Sequence, residues 1–295
     1  MKILCFGSCN IDYVYSVDRI SAPGETISAK DLGLFPGGKG LNQAVALSKA
    51  GAEVYFAGAI GVDGGFLRDV LTESGADVRY LRQVPEKTGH AIIQVDQFAE
   101  NSIMIYRGAN GCISKEQIDL VMDAFSEGDV LLIQNEICNL SYLVNSAAAR
   151  KMVIYFNPSP LNVQVKEVDF EHIHCFIVNE TESIAMFGTN SPKELQIYLK
   201  SKALGQEILL TIGKRGSVYI CADEIIEQSA YQVDSIDTTA AGDTYAGYYI
   251  AAVCSGQSIR NAMNVASIAS AIAVSRKGAS SSIPWAYEVE EILRK

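Results

Sequence analysis

The chain has 295 residues, enough for a substantial buried core, and its 48% hydrophobic and 20% charged content is that of an ordinary soluble globular protein. A net charge of −10 argues against a sequence-independent grip on nucleic acid or anionic lipid, although local backbone dipoles can still hold a phosphate on an acidic protein. No apolar run approaches the roughly eighteen residues that a membrane-spanning helix needs.

The opening MKILCFGSCN carries one lysine and a short apolar run, and reads as a first strand rather than a signal peptide. Residues 11–36 then show strand-like alternation without a helix. The glycine-rich GGKGLNQA (37–44) feeds a helix from Leu41 to Ala50 that ends at Gly51. EVYFAGAIG is a strand, and Gly65 to Ser74 a helix stopped by Gly75. Residues 88–108 read as a hairpin with DQFAEN at its turn. Ser114 caps a helix to about Phe125, with Gln117 at the capping-box position. DVLLIQNE, MVIYFNPS, CFIVNE and EILLTIG are further strands, and helices follow Glu182 and Pro192. Two long Ala-rich helices, Ala240 to Ser255 and Ile259 to Val274, precede a last one from about Pro284 to Leu293.

This alternation predicts an α/β fold: a Rossmann-like, mostly parallel central sheet with helices on both faces. No linker, repeat or low-complexity segment divides residues 1–295, so one domain is expected. Segments 11–36 and 88–108 break the rhythm and can pair as a small antiparallel sheet, a lid beside a ligand crevice. The seven cysteines are scattered without a C-x-x-C pair, the pattern of reduced, buried thiols in a cytoplasmic protein. His172 and His174 would share a strand face, but two imidazoles without a third ligand make a weak metal site.

Six stretches carry polar groups where ligands bind. In DTTAAGDTYAG (237–247), Asp243 falls near a helix start. The free amides of Ala240, Ala241 and Gly242 form an anion site there, and Gly242 leaves room for a ligand. An ionised carboxylate beside such a site can take a proton from a hydroxyl while the amides hold a phosphoryl group; the plainer role is a helix cap. GGKGLNQA lacks the Walker pattern. Its glycines allow close backbone approach and Asn42 suits sugar hydroxyls, or else it is only a tight turn. Asn10 and Asp12 in GSCNID follow the first strand, where α/β sheets bind ligands, and could hold a polyol or simply shape a turn. Glu136 closes an apolar strand as a sugar ligand or as the first solvated residue. Asn179 and Glu182 in NETE suit a hydrated Mg²⁺, or a helix N-terminus. Thr211, Gly213 and Gly216 in TIGKRG suit nucleotide phosphates and ribose, or a hairpin turn. The G-x-G-x-x-G of a dinucleotide-dependent oxidoreductase does not follow the first strand.

These stretches, in this order and over essentially the whole chain, resemble the ribokinase family of carbohydrate kinases. GGKGLNQA looks like the family's N-terminal signature and DTTAAGDT like its C-terminal one; NPSP and SRKGASSSIPW match intervening and later segments. The resemblance implies transfer of the ATP γ-phosphate to a sugar hydroxymethyl group, D-ribose foremost. Asp243 would be the base and Ala240 to Gly242 the anion hole. Asn10, Asp12, Gly38, Lys39, Asn42 and Glu136 would hold the sugar. Asn179, Thr211, Gly213, Gly216 and Ser267 would surround the nucleotide, and Glu182 would organise the Mg²⁺ waters. A monovalent cation, usually K⁺, would lie near Asp237, Thr239, Ala273, Arg276, Gly278 and Ser282, mostly on backbone oxygens. A homodimer through the lids is a further implication. Deoxyribose, fructose, a nucleoside or, through Arg107, a sugar phosphate are alternative acceptors; a non-catalytic sugar sensor is the alternative of another class. Tyr248 departs from the family pattern, which has a small residue after Gly247, and Ser267 stands where a larger polar residue is common.

Overall fold

In the computed structural model, which describes residues 1–98 and 100–294, the sheet is organised around β1 (Ile3–Phe6), buried at every position. Ile3 and Cys5 enter one core and Leu4 and Phe6 the other, the two-sided burial of a parallel strand between helix layers. β4 (Val54–Ile60) and β8 (Val130–Gln134) flank it in parallel. Beyond them lie β5 (Asp77–Gln83) on one side and β9 (Val153–Asn157), β10 (Cys175–Asn179) and β11 (Glu207–Thr211) on the other, all parallel. The antiparallel strands β12 (Ser217–Ile220) and β13 (Ile225–Gln228) complete a nine-stranded sheet.

On the Ile3 face pack α1 (Lys39–Lys49), α2 (Gly65–Glu73), α7 (Ala241–Cys254), α8 (Ile259–Val274) and α9 (Ala286–Leu293). On the other face lie α3 (Lys115–Met122), α4 (Leu140–Ala149), α5 (Glu180–Phe187) and α6 (Pro192–Lys202). Ser114 does cap α3, its hydroxyl accepting from the Gln117 amide at 3.2 Å. The expected α/β architecture is therefore present.

The second sheet has the order β3-β2-β6-β7, from β2 (Asn10–Ser16), β3 (Asp31–Gly37), β6 (Gly89–Val95) and β7 (Asn101–Tyr106). Both hairpins are antiparallel, and the two join through a parallel β2–β6 pairing. The predicted turn DQFAEN connects β6 to β7; Ala99 within it lies outside the described residues. The two histidines do not share a strand. His172 ends a short 3₁₀ turn and His174 precedes β10, and each faces a carboxylate, Asp169 and Glu207 respectively, at 3.6 Å. Among the described residues no His/Cys/Asp/Glu cluster could hold a metal ion, and no helix is long and apolar enough to cross a membrane.

Candidate active site

The parallel strands end along one edge of the main sheet, and five of them deliver a polar group there: Ser8 and Asn10 after β1, Glu136 after β8, Asn157, Asn179 and Thr211 as the last residues of β9, β10 and β11. Two helix N-termini, those of α1 and α7, meet them from one face. α7 begins without a side-chain cap. Ala240 sits at its N-cap in left-handed backbone (φ 58°), so no cap side chain occupies the first-turn amides. The Ala241 amide reaches the Thr238 carbonyl at 3.2 Å. A Cβ placed on Gly242 would meet nothing within 4 Å, so internal packing does not demand glycine there.

Asp243 is the third residue of α7 and is buried. Asn42 Nδ2 donates to its Oδ2 at 3.1 Å, Gln43 Nε2 donates to its Oδ1 at 2.8 Å, and Lys39 Nζ stands 3.5 Å from Oδ1. The capping role considered from sequence is thus not what Asp243 performs: its carboxylate points at α1 rather than at its own helix amides. Burial works against the Lys39 charge, yet Asp243, Glu136 and Glu182 together hold its ammonium above the ordinary value. The Asn42 Oδ1 atom is buried with no partner among the described residues.

Glu136 is half-buried and held by neighbours rather than standing free in solvent. Its Oε2 accepts from the Ser8 hydroxyl and from the Lys39 amide, the latter at 2.9 Å, and burial raises its pKa. Burial also raises Asp12, to about 7, with Glu136 adding repulsion. Gly37 makes room for this carboxylate: a Cβ there would lie 2.1 Å from Asp12 Oδ2. Asn10 Oδ1 accepts from Asn110 Nδ2 at 2.8 Å. Gly38 caps α1 with φ 93° and no side-chain bond. Asn10, Asp12, Gly38, Lys39, Asn42, Glu136 and Asp243 therefore gather at one mouth between lid and sheet.

A second group lies along β10 and β11. Asn179 and Thr211 are register partners there, and the Thr211 hydroxyl reaches the Val178 carbonyl at 3.3 Å. Asn179 and Glu182 form a reciprocal capping box at the start of α5, with bonds of 2.9 and 3.0 Å, and Ser159 donates to the other Glu182 oxygen. Each carboxylate oxygen keeps a second lone pair, so a water bridge to Mg²⁺ fits these donors, whereas direct ligation would compete with the cap. Gly213 has open space where a Cβ would stand. Gly216 has a structural reason of its own, since a Cβ would come 2.0 Å from the Gln228 carbonyl. Ser267 is buried and donates to the Ser229 carbonyl at 3.2 Å, so any influence on a ligand passes through that loop.

Asp237 ties two loops together: Oδ1 accepts from the Thr239 amide at 2.9 Å and from its hydroxyl, and Oδ2 from the Gly278 amide at 2.9 Å. Burial opposes its charge, but the bonds from Thr239 and Gly278 hold its pKa below the ordinary value. The Ala273 carbonyl accepts from the Arg276 amide, Arg276 pairs with Glu288, and the Ser282 hydroxyl donates to the Ala279 carbonyl. Residues 237–239 and 273–282 thus converge behind the α7 N-terminus, and backbone oxygens of such loops fit a monovalent cation. Tyr248 packs behind the same region, its hydroxyl donating to the Pro284 carbonyl at 2.6 Å. Arg107, at the base of the lid, donates to Gln164 Oε1 at 2.6 Å.

Sequence reading passed over Gln43, Asn157, Ser8, Asn110 and Gln134, all buried polar residues at this mouth. Asn157 had a visible signal, a polar residue closing an apolar strand just as Glu136 does. Gln43 had none beyond its place in GGKGLNQA.

The sequence matches the pfkB family carbohydrate kinase profile over residues 1–286. The chain belongs to the pfkB family of carbohydrate kinases. Within that family it is 32% identical to the ribokinase of Staphylococcus aureus, with 99% of both chains covered. It is also 27% identical to a deoxyribokinase of Salmonella typhimurium, with 99% of both covered. Among solved structures, ribokinase from Thermotoga maritima is similar at a TM-score of 0.87 and 32% identity, covering 100% of this chain and 99% of that one. Arabidopsis thaliana ribokinase complexed with ribose and ATP has a TM-score of 0.87 at 28% identity, with 100% and 98% covered. As a pfkB-type kinase the chain is a phosphotransferase, and the mouth around Asp243 is its candidate active site.

Proposed function

We propose that this kinase transfers the γ-phosphate of ATP to the hydroxymethyl group of D-ribose, giving D-ribose 5-phosphate. The observation that carries the chemistry is Asp243: a buried carboxylate fixed by Asn42 and Gln43, beside an uncapped helix N-terminus with open space at Gly242. In this reading the carboxylate accepts the hydroxymethyl proton as the oxygen attacks phosphorus. The amides of Ala240 and Gly242, beside that of Ala241, which is shared with the Thr238 carbonyl at 3.2 Å, hold the migrating phosphoryl group, where preorganised donors lower the barrier most.

Asn10, Asp12, Gly38, Lys39, Asn42 and Glu136 bind the sugar hydroxyls. Acceptor-rich carboxylates and a free amide oxygen at Asn42 suit a polyol. Asn179, Thr211, Gly213 and Gly216 bind the nucleotide, with Ser267 shaping the adjacent loop. Bound Mg²⁺ would neutralise phosphate charge, its waters held by Glu182. A K⁺ ion among Asp237, Thr239, Ala273, Arg276, Gly278 and Ser282 would fix the loop that aims the anion hole. Lid closure excludes water and so protects ATP from hydrolysis. Apolar side chains exposed on the lid, Leu32, Leu34, Phe35, Ile103, Met104 and Ile105, support a homodimer joined there. Seven free cysteines support a reducing cytoplasmic setting.

What supports ribose over other acceptors is the identity to ribokinases along the whole length. Arg107 is already engaged by Gln164, which gives a sugar phosphate no specific support. A coupled ADP-release assay across ribose, deoxyribose, fructose, adenosine and fructose 6-phosphate tests the assignment. Ribose is expected to give the highest kcat/KM; a higher value for any other acceptor overturns it, and no turnover with any of them favours a sugar sensor.

A further inference from the structure

Behind Asp243 lies a chain of buried side-chain amides that spans the sheet. Gln134, the last residue of β8, is fully buried, and its Nε2 donates to Gln43 Oε1 at 2.7 Å and to Cys5 Sγ at 3.8 Å. Gln43, 1% exposed, donates both hydrogens of its own Nε2, one to Asp243 Oδ1 at 2.8 Å and one to Asn157 Oδ1 at 3.0 Å. Asn157 in turn donates to the Ile177 carbonyl at 2.8 Å. The Gln43 amide is therefore held at both ends. Its oxygen is fixed from β8 and its nitrogen from β9, and one N–H is left for the carboxylate. Two head-to-tail amide dipoles then point their positive ends at Asp243, and each strengthens the next in a dry interior.

We propose that Gln43 is a positioning residue for catalysis: it fixes the Oδ1 side of Asp243 at 2.8 Å while Asn42 holds Oδ2 at 3.1 Å, so that Oδ1 is spent on the amide chain and the remaining lone pair of Oδ2 faces the acceptor hydroxyl. Three facts argue for this over a purely structural role. The bond joins α1 to α7, the two helices that bring in the sugar-binding and phosphoryl-binding halves of the site. A buried glutamine inside a helix costs free energy unless every polar atom is used, and Gln43 uses all of its own. Lys39, the cation facing the same oxygen, stands at 3.5 Å, at the outer limit of a hydrogen bond and too far to fix an angle alone. The other charged or titratable groups turned toward Asp243 are Glu136 from the end of β8 and Cys5 from β1, and neither bonds it. This inference rests on Asp243 being the base.

The test is a double-mutant cycle on the full chain, Gln43→Met with Asp243→Asn, read as kcat and sugar KM separately. Gln43→Met keeps the volume and removes both donors. In the native background kcat is expected to fall by about thirtyfold or more, the scale set by small misplacements of a catalytic group, with sugar KM changed less than about threefold. In the Asp243→Asn background the same substitution is expected to change kcat by less than about twofold, because no base remains to be aimed. An equal fractional loss in both backgrounds, or a native-like kcat in Gln43→Met, overturns the proposal. Normal turnover in Asp243→Asn alone overturns the base assignment instead, so the two failures are distinct. Should Gln43→Met not fold, Gln134→Met removes the donor that orients Gln43 and leaves the Asp243 contact in place. A kcat loss of about threefold to tenfold with unchanged KM supports the proposal, and wild-type kcat overturns it.

Discussion

A glycine and a carboxylate show how single residues at this mouth are set by different demands. At Gly242 a methyl group would meet no protein atom within 4 Å, and alanine favours a helix more than glycine does. Gly242→Ala is therefore expected to leave thermal stability equal or slightly raised while kcat falls by about a hundredfold, because the methyl intrudes on the space of the phosphoryl group. Calorimetry with steady-state kinetics checks both halves; a fully active variant would remove the anion-hole role. Asp12 is governed by burial. Its carboxyl is raised from 3.8 to about 7, so between those values the folded chain holds a proton that the unfolded chain has released. The group's contribution to stability falls as pH rises through that window and levels off above it. Asp12→Asn cannot ionise, so its urea midpoint is expected to drop less than that of the native protein between pH 5 and pH 8. Parallel curves would contradict the burial argument.

Among the elements, α7 does two jobs, presenting Asp243 at its start and anchoring a distant loop through Tyr248. The Tyr248 hydroxyl holds the Pro284 carbonyl at 2.6 Å, and Lys49 holds the nearby Ile283 carbonyl at 2.8 Å, so the 275–284 loop is pinned from two helices. Tyr248→Phe is expected to cost about 1 kcal/mol, seen as a fall in Tm of about 2 °C; an unchanged Tm would mean that the loop is held without it. The tyrosine that departs from the family pattern is thus a loop fastener. Which elements could be read from sequence followed from physical signal. α1, α2, α3 and α8 combine helical periodicity with a glycine stop or a serine cap. α4 begins at an Asn139 that makes no side-chain cap bond, and its LSYLVNSAAA has no polar face to set a period. β5, DVRYLRQ, is an edge strand too polar to alternate, and β12 and β13 are four residues each. The site was legible where polar residues close apolar strands. It was illegible at Gln43, because a glutamine in a helix looks the same in sequence whether it faces solvent or a buried carboxylate.

On the scale of the whole molecule, the lid is the part that the main core does not account for. Every residue of β7 is exposed, including Ile103, Met104, Ile105 and Tyr106, and Leu32, Leu34 and Phe35 are exposed on β3. An edge strand this apolar needs a cover. The native protein is expected to sediment as a dimer, and the doubly substituted Leu34→Glu, Ile105→Glu protein as a monomer. A native monomer at micromolar concentration would contradict lid pairing. The main sheet, by contrast, is a frame buried on both faces; it places Glu136, Asn157, Asn179 and Thr211, while Asn10 and Asp12 come from the lid strand β2.

The central claim is that Asp243 accepts the proton of the acceptor hydroxyl, and the most direct measurement is kcat in Asp243→Asn beside the sugar Kd from titration calorimetry. The account predicts that kcat falls by at least about a hundredfold while Kd stays within about threefold of the native value. Near-native turnover in that variant would contradict it.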